Sequence, residues 1–362
     1  MMYQRIAVEF KTEMALPVVI GAGIIDDIPD LVDFSAYSAI VLLTDTTVGK
    51  LYGERVIRSL NKIGKKIVTL TFPPGERTKS AGPVARAYRF LMDSAIDRDA
   101  LLVVLGGGVV GDLGGYIAST YLRGVDYIQI PTTLLAQVDS SIGGKVGINF
   151  GGKKNMVGSF YQPVAIISDV SCLKSLPARE MRNGMAEVIK YGLAIDKELF
   201  NKLGNRKSRG FTRNELIDIV TRCAGLKARV VEADETDRSG KRSILNFGHT
   251  AGHAVEAAAA LRRIRHGEAV AIGMVVASRI SNKLNMLEAD SIKEIESVLE
   301  HYGLPARCPG TPFTEITKAL EFDKKITHGQ LKWVLLDSIG NGVVNCTVDK
   351  DTVIEVLGEV CP

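Results

Sequence analysis

Residues 101–121 read LLVVLGGGVVGDLGGYIASTY, and most of the architecture can be worked out from this string. Leu101–Leu105 is an unbroken apolar run. It lacks the alternation of a half-exposed strand, so a strand built from it is covered on both faces, as inside a parallel sheet. The glycines at 106–108 predict a turn, and Leu113–Tyr121 carries helical spacing. Gly106, Gly108 and Gly111 fit GxGxxG, in which glycines admit a pyrophosphate and the helix N-terminus favours the anion. A tight strand-to-helix turn without a ligand fits the same letters equally well. The match also follows a later strand and not the first, unlike the usual dinucleotide fingerprint.

Four more apolar runs, Ala39–Leu43, Lys66–Leu70, Tyr127–Ile130 and Val164–Ile167, repeat the strand pattern, with helical spacing between them. Strand–helix alternation predicts an α/β, Rossmann-like domain with a mostly parallel sheet. Polar turns follow several of these runs. Asp45 ends the first and either holds a ribose hydroxyl or caps a helix. Pro73–Lys79 brings Glu76 and Lys79, and Pro131 leads into Thr132 and Thr133. Several such turns on one edge of a parallel sheet are what a dinucleotide crevice requires, which raises NAD binding above the plain-turn reading. Beyond Pro177 the strand signal fades. Arg182–Ala194, Arg213–Glu232, Thr250–Leu261, Glu268–Leu284 and Ile292–His301 carry helical spacing, with late strands expected at Leu331–Leu336 and Val343–Val348. The expected division is an NAD-binding domain over 1–177 and a mostly helical domain over 178–362, with ligands in a cleft between them.

Composition narrows the function classes. The 362 residues are 46% hydrophobic and 24% charged, with a net charge of +4, too mild to argue for nucleic acid or a membrane surface. Met1–Phe10 carries charges early and has no apolar core of a signal peptide. The five cysteines, Cys172, Cys223, Cys308, Cys346 and Cys361, form no CxxC pair. Reduced thiols and a cytoplasmic location are expected.

Two stretches carry chemistry. Residues 245–256 read LNFGHTAGHAVE, and RHGEAV follows at 265–270, so His249, His253 and His266 cluster in a chain with five histidines. His249 and His253 share a helical face. Glu187, in the apolar setting of RNGMAEVIKY (182–191), is a candidate further ligand, and Lys190 lies one turn on. Two histidines and a glutamate leave zinc an open position for substrate oxygens. Spacing does not say which two histidines those are. The second stretch, residues 137–163, reads QVDSSIGGKVGINFGGKKNMVGSFYQP. Lysines on a glycine-rich loop suit phosphate, and a solvated basic loop is the plain alternative. Lys227, Lys241 and Arg242 supply a second group of cations, which suggests a substrate with two anionic ends.

The strings GGGVVGDLGGYIASTYLRG, PTTLLAQVDSSIGGKVGIN, KKNMVGSFYQP, MAEVIKYG, LNFGHTAGHAVE and HGEAV, in this order, resemble the 3-dehydroquinate synthase family of sugar-phosphate cyclases. The resemblance covers roughly Asp45 to Gly340. It implies a homodimer that binds NAD and Zn2+ or Co2+, and Glu187, His249 and His266 match the metal ligands. Positions matching the NAD site are Asp45, Glu76, Lys79, Gly107, Gly108, Val109, Val110, Gly111, Asp112, Thr132, Thr133, Lys145, Lys154, Cys172, Leu173, Lys174 and Ser175. Asp139 and Lys190 match residues that hold substrate hydroxyls. Lys145, Asn155, Asn246 and His253 match the phosphate end, Lys227 and Arg242 the carboxylate end. Arg123 matches an arginine that reaches the neighbouring subunit's site, and Lys324 or Lys325 a further phosphate ligand. The implied reaction turns 3-deoxy-arabino-heptulosonate 7-phosphate into 3-dehydroquinate and phosphate. It proceeds by transient oxidation at C5, elimination, reduction, ring opening and aldol closure. Three alternatives stay open at this point: a cyclase for a neutral sugar phosphate, a metal-dependent alcohol dehydrogenase, and a non-catalytic NAD-binding regulator.

Overall fold

The apolar runs all become strands in the computed structural model, which describes residues 3–9, 15–208, 210–259, 264–308, 310, 312–321, 326–327 and 330–362. Strands of the first half are β1 (Tyr3–Glu9), β2 (Ala15–Gly21), β3 (Ala39–Asp45), β4 (Lys66–Phe72), β5 (Leu101–Gly106), β6 (Tyr127–Pro131), β7 (Lys145–Phe150), β8 (Lys153–Phe160) and β9 (Ala165–Asp169). Seven of them form one sheet in the order β1-β2-β9-β6-β5-β3-β4. Only β1 runs antiparallel to its neighbour. Helices α1 (Glu54–Asn61), α2 (Ala81–Asp93) and α3 (Gly108–Thr120) follow β3, β4 and β5.

Every residue of β3 and β5 is buried because the sheet has a core on each face. On one face Val41, Leu43, Leu102 and Val104 pack with Val84 and Leu91 of α2 and Leu113 and Ile117 of α3. On the other, Ile40, Leu42, Leu101, Val103 and Leu105 pack with Val56 and Leu60 of α1. Alternate residues thus serve opposite faces, which is why these strands read as continuous apolar runs. The glycines of α3 let it approach closely. A Cβ on Gly114 would lie 2.6 Å from Val104, and one on Gly115 2.3 Å from Val146.

The basic, glycine-rich stretch is not a loop. Residues 145–160 form the β7–β8 hairpin, with Gly147 opposite Gly158. Cβ atoms there would meet the Val157 carbonyl at 2.7 Å and the Val146 carbonyl at 2.2 Å, so the glycines serve close strand pairing. Sequence patterning predicts a loop because glycine weakens the strand signal.

The chain divides into two compact units, residues 1–177 with 212–236, and residues 178–211 with 237–362. The second unit holds α4 (Ala178–Ala194) and α5 (Lys197–Gly204); the first takes α6 (Arg213–Glu232). Helical spacing groups α6 with the helical half, but its buried face, including Leu216, Val220 and Cys223, packs in the first unit, against β2 and the turn Ala136–Ser140. Helices α7 (His249–Ala258), α8 (His266–Lys283), α9 (Ala289–His301), α10 (Phe313–Glu321) and α11 (Lys350–Val360) complete the second unit. Strands β10 (Ile326–Thr327), β11 (Gln330–Ser338) and β12 (Asn341–Thr347) form a small antiparallel sheet there. Helix α7 ends at Ala258, and Leu261, to which helical spacing is expected to run, lies outside the described residues. Among the described residues no helix is long and apolar enough to cross a membrane.

Candidate active site

In the second unit, α7 and α8 meet at glycines. A Cβ on Gly273 would lie 1.9 Å from the Gly248 carbonyl, and one on Gly252 3.0 Å from the Ala269 carbonyl. This near backbone contact fixes the starts of both helices, and His249 and His266 are their first residues. Helix α4 packs on α8 and brings Glu187, which is fully buried. Glu187 Oε1 lies 3.6 Å from His249 Nε2 and 3.4 Å from His266 Nε2. Lys190, also buried, pairs with Glu187 Oε2. His253 is exposed, and its ring lies edge-on to His249 at 5.4 Å. It falls outside the group whose ligand atoms converge within 4.8 Å, namely Glu187, His249 and His266.

Electrostatics prepares these groups. Burial opposes charge on Glu187, but Lys190, His249 and His266 hold its carboxyl well below the usual range. Burial, then Lys190, holds His249 neutral, well below its ordinary value. Burial also works against charge on His266, yet hydrogen bonds to Glu187 and Glu256 prevail and raise it to about 9. A carboxylate beside imidazoles is a divalent-metal donor set, and binding would displace the His266 proton. The geometry fits too. Tetrahedral zinc with bonds of about 2.0–2.1 Å separates its ligand atoms by roughly 3.3–3.4 Å.

Both histidines of this group have an acceptor behind the ring. His249 Nδ1 lies 3.2 Å from the Phe247 carbonyl, and His266 Nδ1 lies 3.4 Å from Glu256 Oε2. Sequence reasoning missed Glu256, although its place seven residues after His249 puts it on the same helical face. Arg242 is buried in the turn Lys241–Asn246, which also ends in Asn246.

In the first unit, Gly107 precedes α3 and no side chain caps the helix. Cβ atoms at Gly107 and Gly108 would meet Thr133 and Ser140, each at 2.9 Å. Ser140 Oγ is buried without a hydrogen-bond partner among the described residues. Open helix N–H groups beside a glycine cradle and an unsatisfied hydroxyl fit a pyrophosphate. Val110, Gly111 and Thr132 are buried beside it, and Val109 is partly exposed. Thr133 accepts a hydrogen bond from the Ala136 N–H at 3.2 Å. Asp45 caps a short helix, its Oδ1 accepting from the Thr47 and Val48 N–H groups at 2.8 and 2.9 Å.

Lys79 donates to Asp112 and to Asn155, so residues expected at the NAD and phosphate ends share one network. Asn149 extends it by donating to Glu76 at 2.7 Å, another residue not anticipated. A shallow groove runs beside it, lined by Glu76, Lys79, Asn149 and Gly151. Lys227 pairs with Asp139 at 2.7 Å, joining a residue expected at substrate hydroxyls to one expected at a carboxylate. Lys145 is exposed, its ammonium 5.9 Å from the Phe160 ring, and Lys154 is exposed on β8. Residues 170–175 form a short turn in which Cys172 and Leu173 are buried while Lys174 and Ser175 are exposed. Tyr52 donates to the Cys172 carbonyl at 3.0 Å and contacts Ser175. Leu122 and Arg123 are exposed, with left-handed φ of 49° and 68°. Lys324 and Lys325 lie outside the described residues.

This fold, a doubly wound unit and a helical unit carrying a Glu–His–His group, is shared with solved synthases. A 2-deoxy-scyllo-inosose synthase complexed with carbaglucose-6-phosphate, NAD+ and Co2+ superposes with a TM-score of 0.89 at 24% identity, over 99% of this chain and 100% of that one. The 2-epi-5-epi-valiolone synthase ValA from Streptomyces hygroscopicus subsp. jinggangensis, with NAD+ and Zn2+ bound, gives 0.86 at 28% identity, covering 96% and 97%. A 3-dehydroquinate synthase N-terminal model matches residues 69–183 and a 3-dehydroquinate synthase C-terminal model residues 184–326. The 3-dehydroquinate synthase of Nostoc punctiforme is 44% identical over 88% of this chain and 89% of its own length. That of Vibrio atlanticus is 39% identical over 98% of each. The chain belongs to the 3-dehydroquinate synthase family.

Proposed function

We propose that the protein converts 3-deoxy-arabino-heptulosonate 7-phosphate to 3-dehydroquinate and phosphate, with bound NAD and a divalent metal, zinc or cobalt. The observation that carries this reading is the convergence of His249 and His266 on the buried Glu187 carboxylate. The relatives named 3-dehydroquinate synthase support the choice of substrate.

In the second unit, Glu187, His249 and His266 would hold the metal. Lys190 would meet a substrate hydroxyl, His253 and Asn246 the phosphate, and Arg242 the carboxylate. In the first unit, Gly107–Asp112, Thr132, Thr133, Glu76 and Lys79 would line the NAD. Lys145, Lys154 and Asn155 bring further polar groups on the hairpin, and Asp139 and Lys227 form a pair that substrate can reorganise. When bound, the metal polarises an alcohol oxygen and NAD accepts and returns a hydride. The residues themselves orient the substrate and hold its charges, which favours reaction by positioning and electrostatics. The family resemblance implies a homodimer in which Arg123 would reach the partner's site, a state that light scattering on a sizing column would measure.

The test is phosphate release from the heptulosonate phosphate with zinc and a trace of NAD. Phosphate should accumulate far beyond the NAD supplied, while NADH absorbance rises only to the level of enzyme. One NADH per product would mark an alcohol dehydrogenase instead. Equal turnover of glucose 6-phosphate or sedoheptulose 7-phosphate would mark a different cyclase.

A further inference from the structure

We propose that Glu256 is a positioning residue that fixes the metal-binding tautomer of His266; this rests on the metal reading above. His266 Nε2 faces Glu187 at 3.4 Å while Nδ1 faces Glu256 Oε2 at 3.4 Å. A metal taken up at Nε2 leaves the ring proton on Nδ1, and Glu256, which as a carboxylate only accepts, is the group placed to hold it there. His249 obeys the same rule through a different acceptor, the Phe247 carbonyl at 3.2 Å from Nδ1. Both rings are therefore set by acceptors on the side away from Glu187. The backbone acceptor cannot be removed by substitution, but the carboxylate can.

Glu256 sits on α7, seven residues after His249, so one helix supplies a ligand at its start and the orienting group for a second ligand two turns later.

Outer carboxylates of this kind are typically worth about 10–100-fold in metal affinity. The lower end is expected here, because the His266 and Glu256 side chains are 31% and 20% exposed and water can partly replace the lost acceptor. In the full chain, competition with a chromophoric chelator should show zinc affinity about tenfold weaker for Glu256→Ala. Glu256→Gln, which keeps the shape and an acceptor oxygen, should fall between it and the unmodified protein. A second readout is nitrogen-15 NMR of histidine-labelled, zinc-loaded protein. The His266 Nδ1–H signal should be sharp in the unmodified chain and broadened by exchange in Glu256→Ala, with the Gln variant retaining it in part. Equal zinc affinity in the unmodified and Ala proteins, with an unshifted Nδ1–H signal, overturns this proposal and leaves the metal reading standing. Failure of the unmodified chain to bind zinc overturns the metal reading, and the role of Glu256 with it.

Discussion

Replacing Glu187 by Gln in metal-stripped protein should destabilise the second unit by several kcal/mol, and replacing Lys190 by Met as well should restore most of the loss. Glu187 is fully buried and Lys190 is 2% exposed, so the substitution leaves a buried ammonium without its carboxylate. Breaking a buried pair in this way costs about 3–5 kcal/mol. The chain can escape the full penalty by deprotonating Lys190. At pH 7 that route costs about 4.6 kcal/mol, from an unperturbed value near 10.4 and about 1.36 kcal/mol for each pH unit. Both routes lead to the same range. With a denaturant slope of about 2–3 kcal/mol per M urea, the midpoint should fall by roughly 1–2 M. Trp333, the single tryptophan, is buried in β11 of the same unit, so its fluorescence reports this unfolding. The double variant removes both charges, and its midpoint should return to within about 0.5 M of the unmodified chain. An unchanged midpoint for Glu187→Gln, or a double variant no better than the single, would refute the claim that the pair is a coupled buried unit.

Three further outcomes follow from the same structure. Arg242→Ala should lower kcat/KM for the heptulosonate phosphate by about ten- to a hundredfold, the worth of one charge-assisted contact, and an unchanged value would remove Arg242 from the substrate site. Gly158→Ala, whose Cβ would lie 2.2 Å from the Val146 carbonyl, should cost about 1–3 kcal/mol in urea unfolding, and a neutral result would mean that the hairpin is paired differently. Burial pushes the Cys172 thiol up to about 12, Asp169 adding to this and Arg55 opposing it. Below the ordinary thiol value of about 8.5 this contribution to stability is complete. Above it the unfolded chain releases the proton first, so the contribution is lost as pH rises toward 12, and native Cys172 should resist alkylation at pH 8 until urea exposes it. Rapid alkylation of Cys172 in native protein would contradict this burial.

The strands of the sheet core could be read from the chain because each needs apolar residues on both faces, and β3, β5, β6 and β9 meet that need with local composition alone. The helices α4, α6, α8 and α9 declared themselves through spacing, and the cluster of His249, His253 and His266 through proximity in sequence. Strand β2 and the β7–β8 hairpin did not. The hairpin's glycines weaken strand propensity, and their use lies in the carbonyl of a partner strand that the sequence places elsewhere. The same holds for α6, whose helical character is local but whose membership of the first unit depends on what its buried face touches. Asp45 shows the boundary at a single side chain, since an acid after a strand suits a ribose or a helix N-terminus, and only the placed N–H groups of Thr47 and Val48 show that its Oδ1 caps the helix. Which two of three histidines face Glu187 was likewise open in the residues themselves. Tertiary packing settled it, because α7 and α8 touch at glycines and so turn His249 and His266 toward a carboxylate on α4, while His253, one turn along α7, stays exposed beside them.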